Sequence, residues 1–337
     1  MSAQVIFMCG TGGVGKTTTS VAMAMAEARA GRQCVLLTID PAQRLADALH
    51  LKMKGNVATK ILLPETCSGT LWAMTLDAGD AFETFSQQHT SPQTWNNLKD
   101  NRYFQFASGK MGGIQEMMAV MKMIELIDMG CYDTIVVDTP PAQNAQQFFD
   151  APEKIQHLFS SSGLQWLTSK SSGFASLNIA KSIISKGLNF FLGAETITEI
   201  SDFFGLFKQS AIALEDMAQR GNAVLSHPQT QYWLVEVPNR RLRQLDALKE
   251  NLESKNIRIT GRLLNKAPIP LAPIPEKIIN ADIRILMEEL RQHQSQLTID
   301  IHAQYALQLP ISQSDAIESI EGLWAWSHHL NNPRPNE

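Results

Sequence analysis

Apolar residues in this chain fall into short runs, and most runs are followed by a stretch with helical spacing. Val5 to Cys9 predicts a strand, Lys16 to Ala30 a helix, Gln33 to Ile39 a second strand, and Ala42 to His50 a second helix. The strand theme returns at Leu71 to Leu76, Thr134 to Val137, Gln231 to Val237, Ile257 to Leu264 and Ala306 to Leu309. Helical patterns follow several of these, at Arg240 to Leu252, Glu276 to Arg291 and Ser314 to Leu330. Strands alternating with helices predict an α/β fold around a doubly wound, mostly parallel sheet with helical crossovers.

Two long stretches break the alternation and read as helical, Gly79 to Met129 and Gln143 to Gly221. They are expected to form a helical subdomain inserted into one domain that spans residues 1 to 337. Ser160 to Gly163 and Ser169 to Gly173 are small, polar and linker-like. The helix from Gly112 to Met129 carries Met117, Met118, Met121 and Met123. Such a helix is either core or an adaptable apolar surface. A helix over Phe174 to Leu192 precedes another over Ile197 to Leu214, where Ile197, Ile200, Phe204, Phe207, Ala211 and Leu214 share one stripe. Phe203, Leu206 and Ile212 widen it beyond one face. Extra apolar area of this kind predicts a dimer interface or a client groove.

Length and charge narrow the classes. A chain of 337 residues can bury a large core, and its net charge of −4 disfavours a nucleic-acid coat, so no nucleic-acid partner is expected. The four cysteines, Cys9, Cys34, Cys67 and Cys131, form no CxxC pair, which removes a zinc knuckle or a thioredoxin-type motif. Cys9 and Cys34 lie inside strand-like runs and read as core. Met1 to Cys9 lacks a basic flank and leads straight into a glycine loop, so it reads as a strand and not a signal peptide. No run nears the ~20 apolar residues of a membrane span. A cytoplasmic location is the expectation.

The chemistry concentrates at Gly10-Thr11-Gly12-Gly13-Val14-Gly15-Lys16-Thr17-Thr18, a glycine-rich loop between a strand and a helix. That context is the one a Walker A loop of a P-loop NTPase requires. Backbone N–H groups of such a loop face phosphate oxygens, aided by the positive end of the helix. Lys16 would neutralise charge at the β- and γ-phosphates, and the Thr17 hydroxyl would ligate Mg²⁺. Asp138 ends an apolar strand, as a Walker B acid does, and would hold Mg²⁺ directly or through water. Thr139, Pro140 and Pro141 continue as a stiff loop that could sense the γ-phosphate. Asp40 before Pro41 is a good helix cap, yet it also lies at the strand edge where ligands of open α/β sheets gather. The Asn265 amide can both donate and accept toward adenine, but asparagine is also common at strand ends. Pro310, after the last strand, either walls an adenine pocket or merely ends the strand.

The loop resembles the deviant Walker A, GKGGVGKTT, of the arsenite-pump ATPase (ArsA) and of the related targeting factor for tail-anchored membrane proteins in the GET pathway. Asp40-Pro41-Ala42-Gln43-Arg44-Leu45 is similar to that family's first switch, DPAHxL, and Val137-Asp138-Thr139-Pro140-Pro141 to its second, DTAPTG. Gly113-Ile114-Gln115-Glu116 looks like its PGIDE segment. Glu236 ends a strand where the family places a nucleotide-contacting glutamate, and Leu264-Asn265-Lys266 looks like its adenine-reading motif. The resemblance implies binding and hydrolysis of ATP with Mg²⁺ by a dimer, with Asp40 orienting the attacking water. ATP state would then gate a helical layer, which in the targeting branch holds a hydrophobic client.

One departure stands out. The family carries a lysine at the position of Thr11, and that lysine reaches the partner's phosphates across a two-fold dimer. A threonine brings no charge, so hydrolysis is slow, another cation substitutes, or the partner is a paralogue that keeps the lysine. Homodimer and heterodimer therefore both stay open. Neighbouring functions are disfavoured by what the chain lacks. Arsenite sensing needs clustered thiols, zinc-clamped dimerisation needs a CxxC, and a MinD-type positioning ATPase needs a basic amphipathic tail. A ParA-like ATPase needs basic patches. The tail from Ile317 to Glu337 is poor in Lys and Arg and reads as a closing helix. A nucleotide-stabilised scaffold with negligible hydrolysis is the rival from another class.

Overall fold

The computed structural model describes residues 2–39, 53–110, 113–160, 194–238, 243–267, 288–289, 292, 307–310 and 319–330. The described residues form the α/β architecture that the alternation predicts. Its eight strands are β1 (Gln4–Gly10), β2 (Gln33–Thr38), β3 (Thr59–Ile61), β4 (Thr70–Thr75), β5 (Thr134–Asp138), β6 (Gln231–Glu236), β7 (Gly261–Ala267) and β8 (Leu307–Pro310). They run in the order β3-β4-β2-β5-β1-β6-β7-β8. Every pairing is parallel except that of β3 with β4. β3 is too short to carry a periodic signal, which is why the hydrophobic pattern does not predict it.

β1 is central, and the chain winds outward from it both ways, so its C-terminal end is a topological switch point. Its side chains from Val5 to Cys9 are all fully enclosed, as a strand covered on both faces requires. The strand expected over Ile257 to Leu264 begins later, at Gly261, and extends to Ala267. That shift places Asn265 inside β7, at a register irregularity between Asn265 and Ala267. Lys266, between them, has φ 57°, a left-handed backbone that a non-glycine residue rarely adopts.

The chain divides into two compact units. The first comprises Met1–Thr75, Leu126–Gln146 and Ser226–Glu337, and the second Leu76–Glu125 and Gln147–Leu225. In the first unit, α1 (Lys16–Arg29) lies against the sheet. Its buried Glu27 pairs with Arg32 and accepts from Thr134 Oγ1 at 3.1 Å, tying the helix to β5. At its far end the Arg29 guanidinium donates to the Trp324 carbonyl at 2.6 Å and to Ser327 Oγ at 2.9 Å. It also sits 4.1 Å from the Trp324 ring centroid. The closing helix expected from the tail is therefore present as Ile320–Trp326 with a 3-10 turn over Ser327–His329. The helix expected over Arg240 to Leu252 runs over Arg243–Ser254.

The second unit is helical. α2 (Ala78–Gln88), α3 (Pro92–Lys99), α4 (Arg102–Lys110), most of α5 (Ile114–Met129) and of α6 (Ala142–Ser160), and α7 (Ala194–Leu225) supply its described residues. Local caps start three of them, α4 through Asn101, whose Oδ1 accepts from the Tyr103 and Phe104 N–H groups. Asp77 accepts from the Asp80 N–H, and Ser91 accepts from the Thr94 N–H with Pro92 next in line. Phe82 stacks on Phe104 with ring centroids 5.2 Å apart and meets Phe207 at 5.5 Å. Met117, Met118, Met121 and Met123 are all buried, so the methionine helix is core and not the adaptable surface weighed from sequence. On α7 the stripe residues Phe207, Ala211 and Leu214 are buried, whereas Ile212 is 60% exposed. The helices expected over Ala42 to His50, Phe174 to Leu192 and most of Glu276 to Arg291 lie outside the described residues, as does the Ser169 to Gly173 linker. Among the described residues no helix is long and apolar enough to cross a membrane.

Candidate functional site

The loop from Gly10 to Thr18 leaves β1 at the switch point and enters α1 directly. Two backbone demands explain its glycines. A side chain at Gly10 would bring Cβ within 2.8 Å of the Val235 carbonyl on β6, so only hydrogen fits. Gly15 is the residue before α1 and has φ 82°, the left-handed geometry that glycine adopts at no steric cost. It brings no capping side chain, and no acidic residue stands in the first turn. The positive end of α1 is thus left to an external anion.

Lys16 is only 8% exposed, and its Nζ lies 3.3 Å from the Thr11 carbonyl, curled over the loop. Thr11 itself is 5% exposed, and its Oγ1 finds no hydrogen-bond partner among the described residues. A buried hydroxyl left this way costs about 1–3 kcal/mol unless something fills its need. Gly12, Gly13 and Val14 complete the turn, and Thr18 follows Thr17 in the first turn of α1.

Asp138 is brought to the loop by sheet register. It pairs with Met8 on one side and with Thr38 on the other, at the C-terminal ends of three neighbouring strands. It is 1% exposed. Thr17 Oγ1 donates to Asp138 Oδ2 at 2.8 Å, and Thr38 Oγ1 donates to the same oxygen at 3.0 Å. Ser20 Oγ lies 3.2 Å from Asp138 Oδ1 and 2.9 Å from the Lys16 carbonyl. Burial pushes the Asp138 carboxyl above its ordinary value, while the Thr17 hydroxyl, the Lys16 charge and the Thr38 and Ser20 hydroxyls pull it down. The sequence pattern singled out neither Ser20 nor Thr38. Ser20 lies three positions after Thr17 on the same helical face, and Thr38 is the last residue of β2, so spacing alone carried the signal.

Thr139 does not face outward as a sensing loop would. Its Oγ1 donates to the Met8 carbonyl at 2.8 Å and is buried beside β1. Cys9, one residue before the loop, has its thiol pushed up to about 12 by burial, which makes it a core residue with no nucleophilic character.

Along the same edge, the other half of the sheet presents Glu236, Asn265 and Pro310. Glu236 ends β6 and is gripped by Arg262 of β7, with Nε to Oε1 and Nη2 to Oε2 both at 2.7 Å. Arg262 had no sequence signature, since its role depends on β6 and β7 lying side by side. Asn265 is 3% exposed and donates from Nδ2 to the Val14 carbonyl at 2.8 Å, so it lies against the loop itself. Pro310 ends β8 opposite Ala267. Asp40, with its segment to Leu45, lies outside the described residues.

The donor set fits a triphosphate with a hard divalent cation. It offers an uncapped helix end, a lysine over the loop, an orphaned buried hydroxyl at Thr11, and hydroxyl and carboxylate oxygens at Thr17 and Asp138.

The chain is similar to known ATPases. The chain is 32% identical over 171 residues to the ATPase GET3 of Kluyveromyces lactis, a match covering 47% of this chain and 48% of the relative. It is 30% identical over 156 residues to the ATPase GET3 of Podospora anserina, covering 46% and 44%. With the ATPase asna-1 of Caenorhabditis elegans it shares 28% identity over 166 residues, 46% of each chain. The chain spans about half the length of the curated relatives it matches. A family model described as anion-transporting ATPase matches residues 3–219, taking in the loop, Asp138 and most of the helical unit. On that match, together with the switch-point loop and its strand-end aspartate, the chain belongs to the anion-transporting ATPase (ArsA) family.

Proposed function

We propose that this chain binds MgATP at the loop from Gly10 to Thr18 and hydrolyses it, acting as a cytoplasmic, dimeric nucleotide switch of the ArsA/GET type. The observation that carries the reading is the 2.8 Å hydrogen bond between Thr17 and Asp138 directly under the start of α1. In an ATP-binding loop those two oxygens are the ones that hold the cation. Thr17 and Asp138 would hold Mg²⁺, which would supply positive charge to offset that of the phosphates.

The rest is done by the chain's own groups. Loop N–H groups and the α1 terminus bind phosphate oxygens, and Lys16 leaves the Thr11 carbonyl to neutralise them. Thr11 Oγ1 donates in cis to the phosphate chain, which meets its unfilled need. Asp40 orients water for in-line attack on the γ-phosphate. Glu236, Asn265 and Pro310 line the adenine side. ATP and ADP would shift the helical subdomain formed by insertions 79–129 and 143–221. The exposed apolar residues Phe106 and Ile212 of that unit suit a hydrophobic client or a second subunit, either a like copy or a lysine-bearing paralogue.

Thr11 also favours a second reading. Enclosed within its own chain and uncharged, it brings no cation to a partner's phosphates, and a catalytic cation of that kind is worth roughly 10³–10⁵ in rate. A nucleotide-stabilised scaffold with negligible turnover follows from that deficit.

Phosphate release at saturating MgATP, with binding measured in parallel, separates the two. Turnover by wild type and its loss in Asp40→Asn supports the ATPase. Binding without turnover by either supports the scaffold. No binding of ATP by wild type overturns both.

A further inference from the structure

Asn265 is held at both ends of its amide. Its Nδ2 donates to the Val14 carbonyl at 2.8 Å, and its Oδ1 accepts the Lys266 N–H at 2.8 Å. The second bond is made by the residue with φ 57°, at the irregularity of β7, so the backbone bends to present it. Gly15 completes the fit, because a Cβ there would fall on Asn265 Nδ2. The glycine before α1 is therefore required twice, by its own left-handed backbone and by the amide that occupies the space of its missing side chain.

The Val14–Gly15 peptide is planar and trans, as no cis bond occurs among the described residues. In a trans peptide the C=O and the following N–H point in opposite directions. Whatever fixes the Val14 carbonyl therefore also fixes the direction of the Gly15 N–H. Asn265 sits on the carbonyl side and sends the N–H the other way. Alternating left-handed glycines, Gly13 at φ 78° and Gly15 at φ 82°, are the backbone form in which successive N–H groups converge on an anion.

We propose that Asn265 is a positioning residue of the phosphate loop: by holding the Val14 carbonyl it aims the Gly15 N–H at phosphate, and so sets polyphosphate affinity independently of any base. The proposal rests on the nucleotide reading of the loop given above. An amide offers two donor hydrogens and two acceptor lone pairs, and the two bonds described use one of each. The remaining donor and acceptor are those that an adenine edge would take. Asn265 thus joins base recognition on β7 to the geometry of the loop, and an occupied base site stiffens the phosphate site through one side chain.

The test uses a ligand with no base. Binding of inorganic tripolyphosphate with Mg²⁺ is measured by calorimetry on wild type and Asn265→Ala, beside MgATP. The expected result is a loss of about tenfold or more for tripolyphosphate, on the scale of one buried hydrogen bond, and at least as much for ATP. Weaker ATP binding with unchanged tripolyphosphate binding would mean that Asn265 only reads adenine, and overturns the proposal alone. Wild type that binds neither ligand overturns the nucleotide reading and this proposal with it. If Asn265→Ala does not fold, Asn265→Asp keeps the acceptor for Lys266 but sets a carboxylate against the Val14 carbonyl. It carries the same expectation, and normal tripolyphosphate binding by a folded Asn265→Asp overturns the proposal.

Discussion

Thr17 and Asp138, 121 positions apart in the chain, meet through a 2.8 Å hydrogen bond at the point where the sheet reverses its winding. Thr17 arrives on the first turn of α1, and Asp138 arrives as the last residue of β5, level with Met8 of β1. The same carboxylate takes Thr38 from the strand on its other side and Ser20 from one turn further along α1. Hydroxyls from α1 and β2 thus converge on one buried acid at the end of β5.

Replacing either member of that pair should separate folding from chemistry. Asp138→Asn and Thr17→Ala are expected to lower Mg²⁺-dependent phosphate release by roughly 10²-fold or more, the scale of removing one electrostatic anchor of a transition state. Thr17→Ser keeps the hydroxyl and should retain most activity. Steady-state phosphate release, checked against thermal unfolding of each variant, decides the matter. Full activity in Thr17→Ala would show that its hydroxyl has no part in the reaction.

The loop glycines should differ sharply in what they tolerate. At Gly10 an added methyl meets the Val235 carbonyl at 2.8 Å, so backbone must move and Gly10→Ala should destabilise by about 1–3 kcal/mol. At Gly12 no heavy atom lies within 4 Å of an added Cβ. Gly12→Ala should therefore unfold within about 0.5 kcal/mol of wild type, and any defect should appear only in nucleotide binding. Urea denaturation without nucleotide reads both.

Arg262 holds the Glu236 carboxylate with two parallel hydrogen bonds on a residue that is itself nearly enclosed. Removing the guanidinium by Arg262→Ala should cost roughly 2–4 kcal/mol, near the lower part of the range for broken buried pairs because Arg262 is partly exposed. The double variant Arg262→Met/Glu236→Gln should recover part of that loss, since no carboxylate is then left without its fork. A smaller loss in the single than in the double variant would refute this account of the pair.

Alkaline pH should weaken the fold through its buried thiols. Cys9 is raised from 9.0 to about 12, and Cys34 is raised well above 9.0, both chiefly by burial. Between those values the folded chain keeps a proton that the unfolded chain gives up. Stability therefore falls as pH rises from about 9, by up to about 1.4 kcal/mol per pH unit for each group. Cys34→Ala should be less stable at pH 7, through the small cavity it opens, yet show a flatter decline between pH 9 and 10.5. Urea midpoints across that range test it, and a Cys34→Ala slope equal to wild type would exclude the thiol as a cause.

Much of the candidate site was legible because its parts are local. The run Gly10 to Thr18 couples a strand end, a left-handed turn and a helix start within nine residues, and each step has a residue-level signature. Asp138 was legible as the acid that ends an apolar run. Ser20, Thr38 and Arg262 were not, because each owes its place to a neighbour brought alongside by helix phase or strand register. The methionines of α5 show the same limit from the other side: their spacing permits either core or surface, and only their burial in the folded chain makes them core.

By itself, then, the sequence determined the alternation of strands and helices, the glycine loop that joins β1 to α1 and the helical stretches of the second unit, since periodicity and backbone preference act over a few residues. The tertiary structure alone decided the strand order that makes β1 the switch point, and the register that sets Asp138 between Met8 and Thr38. It also decided that Asn265 reaches back over 251 positions to the Val14 carbonyl. These are contacts between residues distant in the chain, and they arise when apolar faces bury against one another, a process that no local pattern encodes.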